Sequence, residues 1–178
     1  AALKAEAERT GKTIEEVTAA AASTTPTKKT DAELLAATPE AAKLSAEFAD
    51  NRGKLPWPVK NGIVTLGYGK HTAGINVNQD VEGIRIQTHQ DMPVTAVFDG
   101  EVSVVIPMQG LGYVVLVKHG KYFTLYGNMR SLRVKKGEKV KVGQQLGTAI
   151  TDSEGLTEVY FEVIETTTRM NPELWLAK

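Results

Sequence analysis

Residues 100–162 organise this chain, and the run at their end reads Glu158-Val159-Tyr160-Phe161-Glu162-Val163. Short runs rich in Val, Tyr and Phe precede this ending, and Gly, Pro and Asp residues separate them. Runs of about four to eight such residues between turn signals predict strands rather than helices. From residue 63 onward we therefore expect an all-β domain.

Nine strands are predicted in this part of the chain, and six apolar side chains within it are expected to supply much of the core. The strands are expected near residues 62–66, 83–87, 94–97, 100–106, 113–119, 122–127, 139–141, 146–150 and 159–164. The six core side chains are Val97, Val102, Val104, Val115, Val117 and Phe123. The run 67–80, which contains His71, is predicted to be a polar loop.

The first fifty residues have a different composition, with fifteen alanines and one aromatic residue, Phe48. Such a segment favours helix but has little apolar surface to bury by itself. We predict a weak helix over residues 3–22, a linker over 23–29 and a capping box that begins at Thr30. We expect residues 1–50 to be a helical arm or linker, with a regulatory role or as the end of a coiled-coil region.

A second helix is predicted just before the β domain. Thr38 and Pro39 provide a cap and a first helical residue, and Ala41, Leu44 and Phe48 then recur at helical spacing. The run Leu55-Pro56-Trp57-Pro58-Val59 follows, and its two prolines force an extended path. We place the domain boundary here and expect one domain over residues 51–178.

Composition excludes several classes of function. Lys plus Arg and Asp plus Glu are balanced at 21 each, so nucleic acid is not an expected partner. The chain has no cysteine, which excludes disulfides and thiolate chemistry. No apolar run approaches the roughly 18 residues that a membrane helix needs. Because the chain opens without Met, we expect it to be a processed or truncated piece of a longer protein.

In this order, the strand-and-turn segments and the ending at 161–163 resemble the LytM (M23) peptidase domain. That family has a β fold of the duplicated-hybrid-motif kind, holds one zinc ion and cleaves peptidoglycan peptides. The run 55–59 and the ending 171–176 also resemble EnvC-like murein hydrolase activators, a non-catalytic branch of the family. The resemblance therefore implies a mainly β LytM domain with an N-terminal helical appendage.

The same resemblance implies that the metal chemistry is missing. Where active members read His-x-Gly-Ile-Asp, this chain has Val81 and Arg85 at the two ligand positions, and their closing His-x-His reads Glu158-Val159-Tyr160. The Tyr-Ala-His that assists catalysis ends here in Asn128. Val81, Arg85 and Tyr160 are then vestigial ligand positions, and Asn128 and Glu158 are vestigial catalytic positions. We expect no catalytic residue, no metal and no cofactor.

Other chemical readings are weaker. His71, His89 and His119 do not pair at ligand spacing, and we interpret His119 as a structural residue of a hairpin turn. The two Val-x-x-Gly turns at 134–137 and 140–143 also occur in lipoyl carriers. Such carriers need a modifiable Lys at a hairpin tip, which the turn at 99–101 does not provide.

Without metal chemistry, the predicted function is binding of a partner at a surface. Arg and Tyr are among the residue types that most often anchor interfaces. The resemblance implies a non-catalytic activator that binds an N-acetylmuramoyl-L-alanine amidase and acts in cell-wall remodelling and daughter-cell separation. The alternatives are a peptidoglycan-binding module and a residual zinc endopeptidase. The predicted partner-binding residues are Glu82, Arg85, Leu111, Asn128, Glu158 and Tyr160.

The resemblance also implies where the protein acts and what else it contacts. We expect the periplasm or cell envelope of a Gram-negative bacterium. A division-site membrane complex, reached through a region that precedes residue 1, and peptidoglycan itself are the further expected contacts.

Overall fold

The computed structural model describes residues 38–73, 77–109 and 112–178, and for residues 73, 77 and 78 it describes the backbone alone. Four predicted features lie outside the described residues. They are the helix at 3–22, the linker at 23–29, the capping box at Thr30 and the contact residue Leu111.

Helix α1, Pro39–Asp50, has the predicted start. The Thr38 hydroxyl accepts a hydrogen bond from the Ala41 amide, and Pro39 occupies the first turn. One face of the helix packs onto the β domain through Ser45 and Phe48, both of which are buried. The Ser45 hydroxyl accepts from the Lys121 amide at 2.9 Å and so attaches the helix to a hairpin turn.

Twelve strands follow α1 in the described residues: β1 Ile63–Leu66, β2 Gly69–Ala73, β3 Val77–Val81, β4 Ile84–Thr88, β5 Pro93–Thr95, β6 Gly100–Met108, β7 Gly112–His119, β8 Tyr122–Arg130, β9 Lys139–Val140, β10 Gln145–Thr151, β11 Thr157–Glu165 and β12 Thr168–Met170. A 3-10 helix, Pro172–Leu174, comes after β12. All nine predicted strands are present, and the mainly β fold class is confirmed.

The prediction of a polar loop over 67–80 was wrong, because β2 and β3 form a hairpin there. Neither strand alternates apolar and polar residues, so the usual strand signal is missing, and the two strands form a separate two-stranded sheet. Strand β12 was also not predicted. It is three residues long and pairs only with the end of β11 among the described strands.

One large sheet organises the domain, with β11 near its centre. The order is β1-β4-β11-β10-β8-β7-β6-β9, and β11 also pairs with β8. On β11, the side chains of Val159, Phe161 and Val163 are fully buried in the main core. Tyr160 and its neighbours at even positions point to the opposite face, because successive side chains of a strand alternate.

Five of the six predicted core side chains are fully buried, namely Val97, Val102, Val115, Val117 and Phe123. Val104 is only half-buried, where it packs against a second apolar cluster. That cluster contains Leu116, Phe123 and Ile164, and Tyr160 lies against it.

The two ends of the described domain are joined. The Leu55 amide donates to the Trp175 carbonyl, and the Trp57 indole donates to the Ala177 carbonyl. Trp175 is buried and its ring packs against Phe48 at 5.0 Å, so this tryptophan folds back on the domain. The domain boundary near residue 51 stays a prediction. Across the described residues, no helix has the length and apolarity to cross a membrane.

Candidate partner-binding site

Strand pairing brings three of the six predicted contact residues to one face of the sheet. Tyr160 on β11 pairs with Arg85 on β4 and with Gly127 on β8. Two residues earlier on β11, Glu158 pairs with Gln87 of β4. Directly paired residues lie on the same face of a sheet. We call the face that carries Arg85, Glu158 and Tyr160 the cleft face.

Glu158 is held from three sides. Thr65 donates from its hydroxyl to Oε1 at 2.6 Å, and Asn128 donates from Nδ2 to the Glu158 carbonyl at 2.6 Å. Arg85 Nη1 lies 3.8 Å from Oε2 and forms an ion pair. The Glu158 side chain is 18% exposed, whereas that of Arg85 is 48% exposed. The carboxylate is therefore fixed while the guanidinium keeps half its surface for another molecule.

Asn128 makes its contact from a left-handed backbone, with φ at 66°. Asparagine tolerates this region better than most residues because its short amide can form local hydrogen bonds. The conformation directs the amide to the neighbouring strand, where Glu158 lies.

Tyr160 turns its hydroxyl into the protein and donates to Glu162 Oε1 at 2.7 Å. Burial, followed by the nearby Glu162 charge, raises the pKa of Tyr160, so the phenol is a neutral donor. Glu162 is 0% exposed, and burial raises the pKa of its carboxyl as well. Gly83 makes room for this arrangement, since a Cβ there would lie 2.6 Å from Glu162 Cγ and 3.0 Å from Tyr160 Cζ.

Arg169, on β12, connects these residues to Glu82 in the turn between β3 and β4. Its Nε lies 3.3 Å from Glu82 Oε2 and 3.7 Å from Glu162 Oε2. The arginine side chain is 10% exposed, whereas that of Glu82 is 48% exposed. We call Glu82, Tyr160, Glu162 and Arg169 the cleft cluster.

The side chains at the three positions where the family resemblance implies metal ligands do not fit a zinc ion. Val81 is buried and has no donor atom, and Arg85 carries a permanent positive charge that repels a dication. The Tyr160 oxygen is a protonated phenol already bonded to Glu162. Among the side chains that the structure describes, no three His, Asp, Glu or Cys residues lie close enough to hold a metal ion.

The three histidines lie in separate surroundings. His71 is in β2 and hydrogen bonds to the Gly67 carbonyl at 2.7 Å, and His89 is exposed in a turn. His119 is fully buried, as expected of a structural residue. Its Nδ1 lies 2.6 Å from the Asp99 carbonyl, and its Nε2 lies 2.8 Å from the Thr124 hydroxyl. Because a carbonyl only accepts, Nδ1 carries the proton, and Nε2 of the neutral ring faces the Thr124 hydroxyl.

Sequence reasoning missed several residues of the site. Thr65 fixes Glu158 from a position 93 residues away in the chain, and Arg169 and Glu162 support Tyr160 and Glu82. Ile63, which pairs with Gln87, is 69% exposed at the edge of the cleft face. No local pattern marks these residues. Only the register of β1, β4, β11 and β12 places them together.

A large open groove lies away from the cleft cluster, and its volume is about 1210 Å³. It is lined by α1 together with β6 and β9, and β9 lies at the opposite end of the sheet order from β1. None of the described contact residues predicted from the sequence lines it. We therefore use this region as the source of control substitutions.

Comparison with known families identifies the class of protein. Residues 79–172 match the sequence model of peptidase family M23, so the chain belongs to this family. The catalytic domain of the prophage-encoded M23 protein EnpA from Enterococcus faecalis, solved as a mutant, superposes with a TM-score of 0.56. It is 26% identical, and the match covers 67% of this chain and 95% of that domain. The LytM (M23) fold is thereby confirmed.

Two curated relatives are more informative about the branch of the family. The murein hydrolase activator EnvC of Escherichia coli (strain K12) is 33% identical over 129 residues, covering 71% of this chain and 30% of EnvC. The cell division protein DipM of Caulobacter vibrioides (strain NA1000 / CB15N) is also 33% identical over 129 residues, covering 69% of this chain and 20% of DipM. The chain thus spans less than a third of either relative.

Proposed function

We propose that this chain is a non-catalytic activator that binds an N-acetylmuramoyl-L-alanine amidase through the cleft face. The observation that carries the proposal is Arg85, a half-exposed cation that stands over the fixed carboxylate of Glu158 at a position where the family resemblance expects a metal ligand. One similar protein is named a murein hydrolase activator and another a cell division protein, which supports this kind of function.

The cleft face has the chemistry of a protein interface rather than of a hydrolase. It offers a cation at Arg85, a half-exposed anion at Glu82 and an exposed apolar side chain at Ile63. Cores of interfaces combine such groups with aromatic anchors, and Tyr160 provides one. An activator that binds only the open form of an amidase shifts the enzyme toward that form, because only differential affinity moves such an equilibrium.

The place of action follows from this activity and remains part of the proposal. An activator of wall hydrolases acts in the cell envelope, and we place the protein in the periplasm of a Gram-negative bacterium during daughter-cell separation. We propose that its contact with a division-site membrane complex lies outside residues 79–172, the range that matches the family model.

The decisive experiment measures amidase stimulation by dye release from labelled sacculi, with each purified peptidoglycan amidase of the source organism. Arg85→Glu is expected to weaken binding about thirtyfold or more, the loss that corresponds to a hot spot of roughly 2 kcal/mol. Lys139→Glu, a charge reversal on β9 at the far end of the sheet, is the matched control and should stimulate normally. Equal potency of both folded variants and the unchanged protein would rule out the cleft face as the contact surface.

Membership of a peptidase family favours a second candidate, a residual zinc endopeptidase. The two candidates differ in zinc content after purification without chelator and with zinc supplied. Because Val81, Arg85 and Tyr160 do not fit a zinc ion, we expect far less than one zinc per chain by elemental analysis. Stoichiometric zinc, or cleavage of peptidoglycan that a chelator abolishes, would refute the activator proposal and favour the endopeptidase. Binding to sacculi without any amidase would favour a peptidoglycan-binding module.

A further inference from the structure

The cleft cluster contains a nearly buried cation, Arg169, to which the proposed function assigns no role. We propose that Arg169 is the positioning residue of the partner-binding site, and this inference rests on the proposed function. Arg169 holds Glu82 directly, and it holds Tyr160 through Glu162. Both Glu82 and Tyr160 were predicted as contact residues from the sequence, whereas Arg169 was not.

Arg169 contacts residues on two separate elements. Glu82 lies in the turn between β3 and β4, whereas Tyr160 and Glu162 are on β11. Arg169 reaches both because β12 folds back along β11, with Arg169 paired to Ile164. Its Nε is 3.3 Å from Glu82 and 3.7 Å from Glu162. The position of the exposed Glu82 is thereby coupled to that of the half-buried Tyr160.

Electrostatics explains why a cation is needed at this point. The Glu162 carboxylate is wholly buried, and an ionised carboxylate without a paired cation is strongly disfavoured in such a place. Glu82 and Glu162 approach the same guanidinium nitrogen, so without Arg169 they would repel each other. Glu162 would then take up a proton, or Glu82 would swing into solvent. The first outcome changes the hydrogen bond of Tyr160, and the second removes an anion from the recognition surface.

Arginine suits this role better than lysine does. A planar guanidinium presents several N–H donors in fixed directions and can serve two carboxylates at once, whereas an ammonium is a compact point charge. The Arg169 backbone carbonyl also accepts from the Tyr68 hydroxyl at 3.1 Å, which fixes the strand that carries the side chain. The proposal therefore predicts that Lys at position 169 restores only part of the effect of Arg.

The test compares Arg169→Gln and Arg169→Lys with the unchanged protein and with Lys141→Gln. The control removes a cation that pairs with Asp99 beside β9, away from the cleft face. We expect Arg169→Gln to lower amidase affinity about tenfold, Arg169→Lys to lower it less, and Lys141→Gln to leave it unchanged. In a background with Glu82→Gln and Tyr160→Phe, Arg169→Gln should have almost no further effect, because the groups it positions are gone.

A second readout makes the inference testable without any amidase. In protein carrying ¹³C-labelled tyrosine, the Tyr160 ring resonance, assigned by its loss in Tyr160→Phe, should move in Arg169→Gln and move less in Arg169→Lys. Unchanged Tyr160 signals in either folded variant, or additive losses in the triple variant, would overturn the proposal for Arg169. If Arg169→Gln does not fold, Arg169→Lys supplies both readouts. Failure of the unchanged protein to bind an amidase would instead refute the proposed function, while the Tyr160 signal still decides the role of Arg169.

Discussion

Two polar clusters of this protein contain similar side chains but differ in charge and in exposure to solvent. In the first, the His119 ring connects the Asp99 carbonyl to the Thr124 hydroxyl, which hydrogen bonds with the Tyr126 hydroxyl. The amide of Val97 donates to that tyrosine. We call this series of hydrogen bonds the histidine network. The second is the cleft cluster, which joins Tyr160 and Glu162 to Arg169 and Glu82.

The clusters differ in charge and in exposure. The ionisable side chains of the histidine network are fully buried, and burial lowers the pKa of His119 to about 4 and raises that of Tyr126 to about 12, so both groups are neutral near pH 7. The cleft cluster instead contains charged groups, and Glu82 reaches solvent. A neutral, satisfied network contributes to stability, whereas charged groups that remain partly exposed can still bind another molecule. Substitutions in the first should therefore change stability most, whereas substitutions in the second should cost less stability and change binding.

The largest expected effect concerns the residues that cover the histidine network. Phe48 of α1 stacks on His119 at 4.9 Å and, like Leu55, is buried. Deleting residues 1–57 removes both side chains, worth about 3–5 kcal/mol for Phe48 and about 2–5 kcal/mol for Leu55, so we expect a loss of ~5 kcal/mol or more and an unfolded or molten domain. Deleting residues 1–35 keeps both and should leave the melting temperature, followed by circular dichroism, nearly unchanged. Equal melting temperatures for the two truncations would refute this packing and the domain boundary.

Acid should weaken the histidine network next most strongly. The folded-state pKa of His119, about 4, lies below its usual value of 6.5, because burial disfavours the charged ring. Its contribution is therefore constant above pH 6.5 and is lost as the pH falls from 6.5 toward 4, by about 3 kcal/mol in all. We expect urea unfolding to show this slope in the unchanged protein and a flatter one in His119→Gln. The same slope in both proteins would contradict the assignment.

A smaller effect is expected inside the cleft cluster. Tyr160→Phe removes the hydroxyl that donates to the buried Glu162, so we expect a loss of about 1–2 kcal/mol in urea unfolding. Tyr113→Phe is the matched control, because Tyr113 is an exposed side chain on β7, and it should change stability by less than about 0.5 kcal/mol. Equal losses in the two variants would show that the hydrogen bond to Glu162 contributes nothing specific.

The smallest stability effect is expected where the largest binding effect is proposed. Arg85→Gln breaks an ion pair of 3.8 Å whose cation is half-exposed, and such pairs contribute about 0–1 kcal/mol. The free energy of unfolding should therefore stay within about 1 kcal/mol, while amidase affinity falls. A stability loss well above that, without a loss of affinity, would reverse the comparison and make Arg85 a structural residue.

The strand-rich core was predictable because local patterns encode it. Thr38 and Pro39 marked the start of α1, and the Val-rich runs marked β6 and β7. The hairpin of β2 and β3 was missed because its residues are polar on both faces, so pairing rather than burial specifies it. Strand β12 was missed because three residues carry too little periodicity to be recognised.

The candidate site was predictable only in part. Family resemblance identified Arg85, Asn128, Glu158 and Tyr160, and the structure places all four within one group of paired strands. That a partner binds there stays a prediction. The supporting residues Thr65, Glu162 and Arg169 had no signal of their own, since a Thr, a Glu and an Arg on strands are usually solvent-facing side chains.

Strand periodicity and motif spacing are local properties of the chain, so they were enough to indicate the family, most of the strands and the residues that stand where the family resemblance implies metal ligands. Which side chains lie together follows from the tertiary structure alone. Thr65 meets Glu158 across 93 residues, and Arg169 meets Glu82 only because β12 folds back along β11. Register and burial set these contacts and their charges, and both arise from the pairing of distant strands.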